Sequence, residues 1–351
     1  MSHAIKSYAA HAASGRLDLF SIDRRDPRAD DVVIRILHCG VCHSDLHKVR
    51  NDWGHAHYPM VPGHEIIGQV TRVGENVTRF RVGDHVGVGC MVDSCHHCER
   101  CAEGLEQYCQ NNPTQTYDDV DRIDGMRTQG GYAETIVVRQ DFVLRIPSGL
   151  DLAGSAPLLC AGITMYSPLR HWQVKAGTRV GVIGLGGLGH MGLKLARAMG
   201  AEVTLFSRSP GKEADALRLG AHHVVLSTEP TQMRAVAGQF DLIIDTVPVR
   251  HDVNAYLPTL VSGGVMVLIG YFGALADLST LPLINGRRSL AGSLIGGIAE
   301  TQQMLDFCGQ HGITSDIEVI RMDQINEAFV RLDAADVKYR FVIDMASLGS
   351  A

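Results

Sequence analysis

No stretch of this sequence approaches the ~18 consecutive apolar residues that a membrane-spanning helix needs. No cluster of basic residues is present, and a net charge of −6 with pI near 6.3 argues against nucleic acid or an anionic membrane as the main partner. The opening MSHAIKSYAAHAASGRLDLF lacks the uninterrupted apolar core of a secretory signal. The expected location is therefore the cytoplasm, where thiols stay reduced. Internal repeats and low-complexity segments are missing too.

What is present is a globular composition, 45% hydrophobic and 20% charged with 38 glycines, in 351 residues. That length exceeds a usual single core and predicts two domains. Residues 1–152 carry short, glycine-punctuated strands: DVVIRILHCG, EIIGQVTRVG, GDHVGVG and GGYAETIVVR. Their alternating or β-branched patterns predict an antiparallel barrel with long loops. Across 153–291 strands alternate with helices, from RVGVIG and LGHMGLKLARAMG through AEVTLFS, HHVVLS, FDLIIDT and GGVMVLIG. That rhythm predicts α/β structure with a doubly wound parallel sheet. Residues 292–351 offer two helices and a strand, too little for a domain, and are expected to return to the first one.

Nine cysteines are an odd number for a disulfide framework, and a reducing compartment disfavours one. Four of them, Cys95, Cys98, Cys101 and Cys109, lie within SCHHCERCAEGLEQYC, spaced C-x2-C-x2-C-x7-C. Four thiolates can close a tetrahedron around Zn²⁺ with no position left open, which predicts a structural site. Nucleic-acid zinc ribbons use two knuckles in a basic setting, and neither occurs here. A redox switch that releases zinc on oxidation is the other reading of this loop. His96 and His97, between the cysteines, read as solvated, because the thiolates already fill the coordination shell.

In VGVIGLGGLGHMG, Gly184, Gly186 and Gly189 fit G-x-G-x-x-G, with Gly187 and Leu188 inside the turn. The pattern follows a strand and opens a helix, the context in which it binds a dinucleotide pyrophosphate. NAD-binding folds place an acid at the end of the next strand, on the ribose 2′-hydroxyl. Here that place reads Ser207, Arg208, Ser209 and then Lys212, with no acid before Glu213. Hydroxyls and cations suit a 2′-phosphate and predict NADP(H); a solvated surface turn is the alternative, since Arg and Lys are mostly exposed.

CGVCHSDLH holds Cys42, His43, Ser44, Asp45 and His47; VPGHEIIG holds His64 and Glu65; LLCAGIT holds Cys160. Three protein ligands with a fourth position open make a catalytic zinc. Spacing alone does not pair Cys160 with Cys42, and a buried free cysteine is a common core residue. Cys39, Cys90 and Cys308 read as core, and His222 with His223 opens a strand.

GHE after YPMVPG, CGVCHSDLH, the four-cysteine loop and GLGGLG occur in that order, and the chain resembles zinc-dependent medium-chain alcohol dehydrogenases almost end to end. QGGYAE, LLCAGIT, GSLIGG and YRFVID place the resemblance in the cinnamyl alcohol dehydrogenase-like branch, which includes broad aldehyde reductases. The resemblance implies a GroES-like β-barrel carrying two zincs, a Rossmann cofactor domain, and an active site in the cleft between them. It implies Cys42, His64 and Cys160 as catalytic-zinc ligands, Glu65 as a residue that approaches the metal, and Asp45 as the carboxylate orienting His64. Ser44 and His47 would relay a proton. His43 would contact the pyrophosphate, unless it is a solvated loop histidine; Thr164 would touch the nicotinamide end, unless it caps a helix. Trp53, His55, Cys90 and Leu294 would line an apolar substrate pocket.

Plant enzymes for lignin precursors carry a Trp shortly after the last structural cysteine, where this chain reads QNNPTQTYDD. The resemblance therefore implies a reductase of aromatic and aliphatic aldehydes with NADP(H), interconverting an aldehyde and a primary alcohol. The alternatives are an NAD-dependent polyol or secondary alcohol dehydrogenase, or a non-catalytic dinucleotide or redox sensor on the same fold. Related enzymes are dimers or tetramers, so a homo-oligomer is expected, with GGVMVLIG and SLAGSLIG pairing across the interface.

Overall fold

A computed structural model describes residues 3–275 and 277–350. The chain divides into two compact units, residues 1–160 with 296–351, and residues 161–295.

The first unit begins with a hairpin, β1 (His3–Ala9) with β2 (Asp18–Arg24). Its main sheet holds β3 (Asp31–Val41), β4 (Ile66–Val73), β5 (His85–Val88), β8 (Thr135–Arg139) and β9 (Leu144–Arg145), all paired antiparallel. Along β3, Val32, Ile34 and Ile36 are buried while Arg35 is exposed, the alternation expected of a strand with one face on the core. Each such side chain contributes roughly 1.5–3 kcal/mol by leaving water. Two short strands, β6 (Met91–Asp93) and β7 (Thr114–Gln115), pair at the base of the cysteine loop. This unit also contains α1 (His43–Val49), α2 (Glu99–Ala102) and α3 (Leu152–Ser155).

The second unit opens with α4 (Ala161–His171) and then alternates β10 (Arg179–Ile183), α5 (Gly189–Ala198), β11 (Glu202–Ser207), α6 (Glu213–Arg218), β12 (His223–Leu226), α7 (Pro230–Ala235), β13 (Phe240–Asp245), β14 (Leu260–Leu268), α8 (Leu281–Gly286) and β15 (Ser289–Gly292). The six strands are parallel in the order β12-β11-β10-β13-β14-β15. That order is the doubly wound one, and ligands bind such sheets at the carboxyl ends of the strands where the order reverses, here β10 and β13. One expectation needs correcting. β14 is paired on both sides, so it has no free edge to offer another chain; of these two strands β15 alone lies at an edge of the sheet.

The chain then returns to the first unit. After α9 (Ile298–His311), β16 (Ile317–Arg321) and α10 (Ile325–Asp333), the strand β17 (Arg340–Asp344) pairs antiparallel with β3. Arg340 is thereby placed beside the end of β3, where the first candidate site begins. Among the described residues no single helix is long and apolar enough to cross a membrane.

Candidate functional site

β3 ends at Val41, and Cys42 is the N-cap of α1. The turn is fixed by Asp45, whose Oδ2 accepts the Cys42 amide proton at 2.9 Å. The other oxygen of this fully buried carboxylate accepts from the Gly63 amide at 3.1 Å and lies 3.0 Å from His64 Nδ1. A carboxylate here only accepts, so Nδ1 carries a proton, and Nε2 is the nitrogen turned toward Cys42 and Ser44. Tyr132 and Tyr117 also donate toward Asp45, and Tyr117 stacks on the His64 ring at 6.0 Å.

Cys160 arrives from 118 residues downstream, its Sγ 3.9 Å from Cys42 Sγ. Donor atoms of Cys42, His64, Glu65 and Cys160, all buried, lie within 4.8 Å of one another. The hydrogen bond from Cys160 holds the Cys42 thiol well below its ordinary pKa, while the same contact, with Cys90 and burial, pushes Cys160 well above it. The two sulfurs thus share one proton, and only a cation placed between them would let both ionise. Ser44 Oγ donates to Cys42 Sγ at 3.1 Å and lies 3.5 Å from His64 Nε2.

Glu65 is fully buried with neither carboxyl oxygen hydrogen-bonded; burial raises it to about 7, against the pull of Arg340. Arg340 Nη1 stands 3.6 Å away. Gly40 has to be glycine here, because a Cβ would meet Glu65 Oε2 at 2.0 Å. A buried carboxyl without a hydrogen bond, beside two thiols and an imidazole, is the donor chemistry of a zinc site, and these residues fit that ion.

One turn along α1 from Ser44, on the same helix face, His47 places Nδ1 2.8 Å from Asp52 Oδ2 and its ring 5.4 Å from Trp53. His43 is the first residue of the helix, not of a loop, and burial lowers its pKa.

The second cluster lies in the loop between β6 and β7. Sγ–Sγ separations are 3.5 Å for Cys98–Cys101, 3.9 Å for Cys95–Cys101 and 4.0 Å for Cys98–Cys109, with all four sulfurs within 4.8 Å of one another. This set too fits zinc. Cys95 is lowered to about 5, chiefly by a hydrogen bond with Asn111, and Gln110 N donates to Cys98 Sγ at 3.4 Å. His96 turns away to Asp93 at 2.7 Å, and His97 contacts the Cys95 carbonyl. The loop is tied to the start of α9 by Glu106, which accepts from Ile298 N at 3.0 Å.

In the second unit the three motif glycines differ in their reasons. Gly184 has φ +92°, open to few residues but glycine. A Cβ on Gly189 would meet the Gly184 carbonyl oxygen at 2.0 Å, so α5 packs onto the turn only through glycine. Gly186 faces open space, with nothing within 4 Å of a Cβ placed there. Leu188 caps α5, and Gly187 completes the turn. At the end of β11, Ser207 Oγ accepts from Ser209 N at 3.1 Å, Arg208 is exposed, and Lys212 Nζ donates to Leu185 O of the glycine turn at 3.0 Å. The turn and the cations thus form one cradle, which fits a phosphorylated dinucleotide.

Residues 28–148 match the family described as alcohol dehydrogenase GroES-like domain, and residues 187–310 match zinc-binding dehydrogenase. The chain belongs to the zinc-binding alcohol dehydrogenase family. It is 53% identical to NADP-dependent alcohol dehydrogenase C of Mycobacterium bovis over 98% of this chain and 99% of that one. It is 52% identical to the aldehyde reductase YahK of Escherichia coli, covering 98% of this chain and 99% of that one. Among solved structures, a cinnamyl alcohol dehydrogenase of Sorghum bicolor superposes with TM-score 0.95 at 48% identity, covering 98% of each chain. The fold of this dehydrogenase is a GroES-like domain followed by a Rossmann domain, and it is an oxidoreductase.

Within this dehydrogenase the geometry refines several expectations. Cys90 is not simply core: it is half-buried, and its thiol is drawn down by a hydrogen bond with Cys160. Thr164 lies inside α4 and so does not cap it. Trp53 is exposed beside His47, and His55 sits at φ 62° on the same loop; Leu294 belongs to the other unit, at an exposed position. Sequence reasoning missed Asp52, Tyr117, Tyr132 and Arg340. Only Asp52 had a local signal, five residues after His47.

Proposed function

We propose that this dehydrogenase transfers hydride between NADP(H) and a primary alcohol/aldehyde pair, working mainly as a broad aldehyde reductase. The observation that carries the reading is the buried trio Cys42, His64 and Cys160, with the Ser44 hydroxyl 3.1 Å from its leading thiol. When bound there, zinc supplies Lewis acidity for a carbonyl oxygen, and the nicotinamide of NADPH supplies the hydride. Cys42, His64 and Cys160 hold the metal, and Asp45 keeps His64 in the ligating tautomer. Ser44 Oγ releases a proton to the product oxygen. With Nδ1 held by Asp52, His47 exchanges protons with water through Nε2. Glu65, facing Arg340 at 3.6 Å, would be a further carboxylate donor within reach of the metal.

Cys95, Cys98, Cys101 and Cys109 hold a second, structural zinc. Arg208, Lys212, Ser207 and Ser209 favour the 2′-phosphate of NADP(H). The relatives named NADP-dependent alcohol dehydrogenase and aldehyde reductase support the same cofactor and substrate class. His43 and Thr164 are assigned to the pyrophosphate and nicotinamide, and Trp53, His55, Cys90 and Leu294 to an apolar substrate wall. The partner is a small molecule, and the expected setting is the cytoplasm. Assembly into dimers or tetramers through the open β15 edge is supported by the exposure of Leu281, Ile284 and Leu294 near it.

A panel of aromatic and aliphatic aldehydes and alcohols, followed by nicotinamide absorbance with each cofactor, tests the proposal. Faster turnover of aldehydes with NADPH supports it. Turnover confined to polyols with NAD⁺ refutes it.

A further inference from the structure

One buried ion pair in the cofactor unit is used by nothing described so far. Asp245 ends β13 with its side chain fully buried, and His251 Nε2 stands 2.9 Å from its Oδ2. The other ring nitrogen, Nδ1, lies 2.9 Å from the Val249 carbonyl oxygen. The Nε2–Oδ2 approach is an ion-pair contact outside hydrogen-bond geometry, and a buried carboxylate this close favours the imidazolium form of the ring. Burying such a pair costs desolvation that a neutral pair would avoid.

Its position suggests what the charge is for. Ile183 on β10 is in register with both Phe206 on β11 and Asp245 on β13. Asp245 therefore lies two strands, or about 10 Å, from Phe206 along the same carboxyl edge. Rings packed edge to face bridge that gap: Phe206 lies 5.3 Å from Tyr256, and Tyr256 lies 6.2 Å from His251. Phe272 closes the far side of the His251 ring at 5.2 Å. The charged or titratable groups acting at this place are Asp245 on His251, Arg208 on both His251 and Tyr256, and Asp252 on Tyr256. Arg208 and His251 repel each other, and Lys212 adds a third cation at the same edge. A dianion placed there relieves that repulsion.

We propose that His251, held as an imidazolium by Asp245, is a specificity-determining residue for the 2′-phosphomonoester of the cofactor, acting through the field it adds beside Arg208. The inference rests on the NADP(H) reading of the Ser207–Lys212 turn. Contact with Asp245 raises the His251 pKa, against burial, so the charge persists to higher pH than on an unpaired histidine and is lost on the alkaline side. Above neutral pH the phosphate is already a dianion and Arg208 and Lys212 stay charged. A change in discrimination there belongs to His251.

The test is binding, without turnover. Dissociation constants for NADPH and NADH are measured calorimetrically from pH 6.5 to 9 for the wild type, His251→Gln and Arg208→Gln. The wild-type preference for NADPH should fall about five-fold or more across that range, a size set by one unit charge at this separation. His251→Gln should start at the lower preference and show no slope. A His251→Gln variant that keeps the wild-type ratio and slope, or that weakens both cofactors equally, overturns the inference. A wild type with no preference for NADPH at any pH overturns the cofactor reading itself. Calorimetry of the wild type in two buffers at pH 8 needs no variant. Adenosine 2′,5′-bisphosphate should take up more protons on binding than adenosine 5′-monophosphate, and equal uptake overturns the role.

Discussion

Asp45 Oδ1 lies 3.0 Å from His64 Nδ1 while its Oδ2 accepts the amide proton of Cys42 at 2.9 Å. One buried carboxylate therefore aligns two proposed zinc ligands, fixing the imidazole by tautomer and the thiol by the start of α1. Asp45→Asn keeps the shape but can present its NH₂ to His64 Nδ1. Zinc affinity at this site should fall about 10–100-fold, read by chelator competition. Unchanged affinity would show that Asp45 only packs.

The glycine turn separates folding from binding. Gly186→Ala meets no protein atom within 4 Å, so thermal stability should stay as in the wild type while cofactor affinity falls. Gly189→Ala drives a methyl to within 2.0 Å of the Gly184 carbonyl oxygen and should lower both. Thermal melts with and without NADPH read the two effects. Equal behaviour of the two variants would contradict the assignment of Gly186 to the pyrophosphate.

His47 and Asp52 lie 2.8 Å apart, one turn of α1 beyond Ser44, and are proposed to serve its proton. His47→Ala should cut kcat by about 10²-fold with cofactor binding intact, and added imidazole should restore part of the rate. Asp52→Asn should give a smaller loss. Full activity without His47 would remove it from the proton path.

Away from the site, Asp121 receives both Nη groups of Arg28, at 3.0 and 2.9 Å. Burial alone would lift this acid, but Arg28 and the amides of Ile123 and Asp124 hold it at about 2. A depressed folded-state pKa stabilises above the unfolded value near 3.9 and loses that stabilisation as pH falls toward 2. Asp121→Asn should cost about 2 kcal/mol at pH 7, by urea unfolding, with the gap to wild type narrowing below pH 4. A pH-independent difference would mean that the loss is packing.

The tetrathiolate loop is legible in sequence because its four ligands fall within fifteen residues. The alternation of strands and helices after residue 153 is legible for a similar reason, since hydrophobic period is a local property. Cys160 is not: it meets Cys42 only through tertiary packing across 118 residues, and its role came from family resemblance. Tyr117 and Arg340 were invisible because stacking on His64 and facing Glu65 depend on where β17 and the loop after Cys109 come to lie. The edge position of β15 likewise depends on sheet order, which no strand pattern encodes.

Zinc content and turnover, determined on the same preparations of wild type and His64→Ala, bear most directly on the account. It predicts two equivalents per chain and rapid aldehyde reduction in the wild type, against one equivalent, intact NADPH binding and no reduction in the variant. Wild-type rates from a variant holding a single zinc would contradict it.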